Sequence, residues 1–245
     1  MPRRGWRGPA VHDTMRRMIR SHPIQRRHVL LGIAAAALIA TPVRAQASNQ
    51  QALIDHARST IEALKVDPNF SNFNSYLRQA KAVIVVPQLL KAGLIIGGEG
   101  GSGVLLARNA QGRWSAPAFY SLGAGSIGLQ IGAEVSEVVL IVMNNRALDK
   151  LLADKVTLGG DVSIAGGNAG SGLQARTTTN VGSDIYAFAR NKGLFGGLTL
   201  EGGWLTPDEK ANRAYYGAGA TAHDIVIDQK FANPGADQLR GSLPS

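Results

Sequence analysis

Two stretches have the G-x-G-x-x-G spacing that cradles a pyrophosphate: Gly98-Glu99-Gly100-Gly101-Ser102-Gly103 and Gly123-Ala124-Gly125-Ser126-Ile127-Gly128. Dinucleotide binding needs that turn between a strand and a helix, so that the phosphates meet the helix N-terminus. Here each motif runs on into strand-like sequence, and no Gly-Lys-Ser/Thr follows, so no nucleotide cofactor is expected. Ser126, in Ala-Gly-Ser-Ile-Gly, lacks the first glycine of a nucleophile elbow. Beyond residue 45 the histidines are His56 and His223, and the chain has no cysteine, which argues against a zinc site. His223 and Asp224 are adjacent, and neighbours in extended chain point apart, so they do not make a base and its orienter. The carboxylates Glu99, Glu134, Glu137, Asp161 and Glu201 are scattered, and only the fold decides whether two of them meet as a glycosidase-like pair. The residues therefore make no case for catalysis, a metal or a cofactor.

The elements that would position any site centre on Lys91 to Gly132, where glycine recurs at close to every second residue. Period two is the strand period, and glycine inside a strand marks bulges, curvature or close backbone approach. A curved, closely covered sheet is the expectation. Before it, Ser48-Asn49-Gln50-Gln51 has capping-box spacing and opens a helix to about Lys65, with Leu53, Ala57, Ile61 and Leu64 on one face. That face packs on the domain or lies on a membrane; its polar side carries acids as often as bases, which favours packing. Asp67-Pro68 reopens a helix bearing Phe70, Phe73, Leu77 and Ala80.

Ala82 to Val86 reads as a strand buried on both faces and closed by Pro87. Glu134 to Met143 is a second buried strand, and Asn144 or Asn145 caps a short helix carrying Leu148, Leu151 and Leu152. Ser183 to Arg190 is another strand, with Tyr186 and Phe188 on the face opposite Ile185 and Ala187. Thr206-Pro207-Asp208-Glu209 starts a helix that ends at Gly217, Ile225-Val226-Ile227 suits an edge strand or a docked extension, and the tail from Asn233 reads as loose. Gly97–Gly103 is echoed by Gly166–Gly172, an internal similarity too irregular for a solenoid.

The net charge of +9 suggests nucleic acid until it is located. Residues 1–45 carry nine arginines against Asp13, while the remainder has 17 basic and 16 acidic residues, so no nucleic-acid partner is expected. Residues 1–45 read as a cleavable export signal: a basic region ending at Arg26-Arg27, an apolar run from Val29 to Ala40 too short to cross a bilayer, and small residues before a cut near Ala45 or Ala47. Gln25-Arg26-Arg27-His28-Val29-Leu30 resembles a twin-arginine signal, with the general secretory route as the alternative; translation starts at Met1, Met15 or Met18. The expected localisation is periplasmic or cell-envelope.

Several blocks in order resemble the SYLF lipid-binding family: Ala80-Lys81-Ala82-Val83, Lys91-Ala92-Gly93, Gly97 to Gly103, Trp114-Ser115-Ala116-Pro117, Gly128 to Glu134, Val156 to Asp161, Lys192 to Gly197 and Leu200-Glu201-Gly202. Gly196 stands where the family usually has alanine. The resemblance implies a non-catalytic α+β domain, with a curved, glycine-rich, mainly antiparallel sheet covered by N-terminal helices and a C-terminal helix. Its expected parts are N-terminal helices over residues 46–80, a SYLF-like domain over 81–217, and a partly disordered extension over 218–245. It implies an anionic phospholipid or phosphoinositide-like partner, the alternative being a structural or protein-binding module whose glycine-rich sheet receives a partner. Eukaryotic members bind phosphoinositides and some bind actin; neither activity transfers whole to an exported bacterial protein. For lipid contact, Lys91, Arg190 and Lys192 are the candidate phosphate donors, with Leu194 and Phe195 entering the interface or, alternatively, filling a sheet corner.

Overall fold

Proline cannot donate to a ladder, yet Pro87 does not end the first strand. In the computed structural model, which describes residues 48–93, 96–127, 132–167, 182–192 and 200–245, β1 runs from Ala82 to Gly93. Its register lapses between Val85 and Leu90 against β2 (Ile96–Ala107), and between Val86 and Leu89 against β4 (Gly132–Val142). The missing N–H of Pro87 therefore falls in a bulge, where no ladder bond is lost. Val86 and Leu89, three residues apart, consequently face the same core.

Bare backbone makes the bulge possible. A Cβ on Gly101 would stand 2.5 Å from the Gln88 carbonyl oxygen, and one on Gly103 would stand 2.5 Å from that of Val85. Gly98, Gly100 and Gly125 differ: a Cβ there would meet nothing within 4 Å. The expected close cover therefore holds for one set of glycines, while the other set leaves the sheet surface open.

With β3 (Ala118–Ile127), β5 (Val156–Thr157), β6 (Ile164–Gly166), β7 (Ile185–Lys192) and β8 (Trp204–Pro207), the described strands form one sheet in the order β5-β8-β3-β2-β1-β4-β7-β6. All neighbours are antiparallel except β6 and β7. Apolar residues on both faces of β1 and β4 are fully buried, which explains their unbroken apolar sequence. One face packs against α3 (Asn145–Ala153) and α5 (Ala222–Val226) through Leu148, Leu151, Ile225 and Val226. The other packs against α1 (residues 48–66) and α2 (Phe73–Gln79) through Ile54, Ile61, Leu64, Phe73 and Leu77. Tyr186 and Phe188 join this second face, and Phe188 meets Phe73 edge-on at 5.1 Å. The first helix thus packs on its own domain, although Ile54 rather than Leu53 leads its buried stripe.

Four expectations change for identifiable reasons. Pro68 opens a single 3-10 turn, Pro68–Phe70, before α2 begins separately at Phe73. The start signal around Thr206 is shared: Pro207 ends β8, and Asp208 caps α4 (Glu209–Tyr216) by accepting from the Ala211 N–H. Ile225-Val226 is helical because Thr221 caps α5, and the tail is folded. Ala236, Leu239 and Leu243 are buried around α6 (Asp237–Gly241), while the Pro244 carbonyl accepts from Arg108 and Trp114. The second copy of the internal echo lies mostly outside the described residues.

A polar staple joins α3 to β7. Asp184 accepts from Asn144 at 2.8 Å, from Arg146 at 2.6 and 2.8 Å, and from the Ser163 N–H and hydroxyl at 2.9 Å each. Burial pushes its carboxyl up, but the hydrogen bonds from Asn144, Ser163 and Arg146 together outweigh that and hold it at about 2. The folded value lies below the ordinary one, so this stabilisation is complete above pH about 4 and is lost as pH falls towards about 2. Urea denaturation at pH 6 and pH 2.5 will show Asp184→Asn less stable by about 2 kcal/mol at pH 6, with the gap narrowing at the lower pH. In thermal melts, Gly101→Ala will cost about 2 kcal/mol by overpacking, whereas Gly100→Ala will be neutral or slightly stabilising. Equal losses would refute the bulge account.

Candidate functional site

β1 and β2 pair antiparallel, with Gly93 opposite Gly97 and Lys91 opposite Glu99. The Lys91 Nζ lies 3.0 Å from Glu99 Oε1, and the Glu99 side chain is 1% exposed. Its other oxygen, Oε2, is buried without a partner. Two strands away, Glu137 of β4 stands opposite Arg190 of β7, and its Oε2 accepts from Arg190 Nε at 2.8 Å and Nη2 at 2.5 Å.

These pairs occupy opposite faces of the sheet. Side chains alternate along a strand, and register partners share a face. Leu89, two residues before Lys91, packs towards α3 and α5, whereas Val139, two residues after Glu137, packs beneath α1 and α2. Lys91 and Arg190 therefore do not form one basic patch, and each is paired with a buried carboxylate. Lys192 ends β7 in register with Val135. Leu194 and Phe195 lie outside the described residues.

What the candidates share is an end of the sheet. Gly93 is in register with Gly97 and Gly132, and Ile96 with Ile127. The connections from β1 to β2 and from β3 to β4, together with the exit of β7 at Lys192, all leave from that end. Glu99 and Glu137 were visible in the sequence only as scattered acids. The nearness of Lys91 and Glu99 in sequence was the available signal for the first pair; the second needs the register of two strands separated by about fifty residues.

The catalytic near-misses do not lie in the settings their chemistry needs. Ser126 continues β3 opposite Gly97 instead of standing on a strand-to-helix turn, and both G-x-G-x-x-G stretches lie within or at the end of strands. His223 Nδ1 lies 3.6 Å from Asp228, while Asp224 binds Lys230 and Thr221. Glu99 and Glu137 are separated by the sheet itself. Among the described residues no group of three His, Cys, Asp or Glu side chains is placed to hold a metal ion.

Losing Lys91 strands a buried carboxylate, which costs more than the pair contributes. Chemical denaturation of Lys91→Met will show a loss of about 3 kcal/mol, and Lys91→Met combined with Glu99→Leu will recover most of it. A double variant as unstable as the single one would show that the pair is not coupled.

The family described as Ysc84, Las17-binding protein actin regulator, matches residues 123–245. Protein YSC84 of Saccharomyces cerevisiae is 33% identical over 172 residues, covering 69% of this chain and 36% of the yeast protein. The SH3 domain-containing protein PJ696.02 of Schizosaccharomyces pombe is 36% identical over 192 residues, 77% of this chain and 43% of that protein. SH3 domain-containing YSC84-like protein 1 of Xenopus laevis is 34% identical over 164 residues, 66% and 49% respectively. The chain thus spans less than half the length of these relatives, and no solved structure matches it significantly. With half the chain matched by the family and the strand order built from the same glycine-rich blocks, this protein belongs to the Ysc84/SYLF family.

Proposed function

We propose that this chain binds an anionic lipid surface without catalysis, acting in the bacterial cell envelope after export through its N-terminal leader. The observation that carries this reading is the convergence of strand ends: Gly93, Ile96, Ile127, Gly132 and Lys192 sit at one end of the sheet. The sequence that continues from these strand ends reads Leu94-Ile95, Gly128-Leu129-Gln130-Ile131 and Gly193-Leu194-Phe195, rich in apolar residues and glycine. Apolar side chains there supply the insertion energy. With the chain beyond residue 45 close to neutral, charge is an accessory, at about 1 kcal/mol for each basic residue near an anionic surface.

The ion pairs refine the roles of the basic residues. An ammonium has three donors, and Glu99 takes one direction of Lys91, so the pair holds the lysine near this end with donors to spare. Arg190 is better read as a brace between β4 and β7. Lys192, at the strand terminus, is the stronger candidate for a phosphate.

A second reading, a protein-binding module, draws on the family's description as Las17-binding. It predicts a partner whose capture survives detergent, which lipid adhesion does not.

Flotation with vesicles of phosphatidylcholine alone and with phosphatidylglycerol added tests the lipid reading. The chain freed of residues 1–45 will float with the anionic vesicles, and Leu194→Ser with Phe195→Ser will reduce flotation at least tenfold while Lys192→Glu reduces it less. Unchanged flotation of the folded double-serine variant would overturn the site.

A further inference from the structure

A cleft runs between α1 and the sheet. Its two contiguous lobes have volumes of about 420 and 300 Å³ and share Leu53, His56, Gln88 and Ser102. Such volumes suit small-ligand sites, which span about 300–1,000 Å³. The larger lobe also takes in Gly100 and Ser121, with Pro87 and Leu90 on its apolar side. Ser102 and Ser121 are register partners on β2 and β3, so their hydroxyls share this face. Gly100 carries nothing over its Cα within 4 Å, and Leu90 is 56% exposed.

The side chains of His56, Gln88, Ser102 and Ser121 come from four different elements, line one space and have no hydrogen-bond partner among the described residues. In the adjoining lobe, Gln50 Oε1 is buried and has no partner.

The chemistry of the lining selects the occupant. Among the described residues neither lobe is lined by a lysine or arginine, and the carboxylate of Asp208 is engaged by the Ala211 N–H in capping α4. An anionic headgroup finds no countercharge, so the ligand matching this lining is uncharged. The floor is the face of β2 and β3, interior strands with neighbours on both sides, so an extended polypeptide finds no free ladder to join. Hydroxyls and amides set at varied angles around a small apolar wall are what a pyranose needs: its hydroxyls pair with the side chains and its C–H face rests on Leu53, Pro87 and Leu90. We infer that the cleft between α1 and the sheet binds a short, uncharged oligosaccharide, through His56, Gln88, Ser102 and Ser121. This site does not rest on the lipid reading.

Saturation-transfer NMR and calorimetry on the full chain, with maltotriose, cellotriose and tri-N-acetylchitotriose as probes, test it. At least one probe will bind saturably, and Ser102→Ala combined with His56→Ala will weaken it roughly tenfold, as expected for the loss of one or two hydrogen bonds. Gly100→Val is the blocking control. Its Cβ meets no neighbour, so the fold is kept while the side chain rises into the cleft and abolishes binding. Vesicle flotation of Gly100→Val will be unchanged, which separates this site from the membrane end. No saturable binding of any of the three sugars, or full binding by folded Gly100→Val, would overturn the inference.

Discussion

Backbone packed directly against backbone is the constraint on which the rest of this structure depends. Val85 and Gln88 set their carbonyl oxygens where the first side-chain carbons of Gly103 and Gly101 would otherwise be. That contact lets β1 carry an extra residue without separating from β2. The extra residue resets the alternation, so Leu89 faces one core, Leu90 turns to the opposite, open side, and Lys91 comes to stand over Glu99. A side chain at Gly101 or Gly103 would force the two strands apart at their most crowded point.

Two cores follow from the same sheet. The central strands bury apolar side chains on both faces, and separate helical layers cover them, α1 and α2 on one side and α3 and α5 on the other. Polar groups tie these layers at chosen points: Asp184 fastens the start of α3 to β6 and β7, and Asn212 accepts the Phe119 N–H beneath α4. The buried acids Glu99 and Glu137 bind cations instead of sharing a reaction centre. A framework stapled in this way suits a platform that presents fixed surfaces, and it agrees with a family whose description speaks of binding and regulation.

Much of this was legible because local patterns and global packing agree. Asn144 before Leu148 and Leu151 announces a capped helix, the run from Val138 to Val142 announces a doubly buried strand, and the helix before Gly217 ends where glycine permits φ of 108°. Failures arose where one residue serves two neighbours or where distant chain decides. Pro87 reads locally as a stop, but the bulge makes its missing donor harmless. Ile225 and Val226 have strand-like side chains, yet the Thr221 cap and burial beside α3 make them helical. The tail beyond Asn233 looks polar, and what orders it is remote: Trp114, Arg108 and the Gln51 side chain on Gly235. The candidate site divides in the same way. Lys91 and Arg190 were recognisable as basic residues near glycine, but their carboxylate partners and opposite faces depend on cross-strand register. The cleft beside His56 depends on which glycines remain uncovered, which composition does not reveal.

The central functional claim is that one end of the sheet meets the membrane while the helical layers stay in water. Hydrogen exchange of the full chain, compared with and without vesicles containing phosphatidylglycerol, addresses it most directly. The account predicts added protection in peptides covering residues 91–99, 127–135 and 190–200, with α3 and α5 unchanged. Protection concentrated on α3, α5 or the C-terminal helix, with those three stretches unaffected, would contradict it.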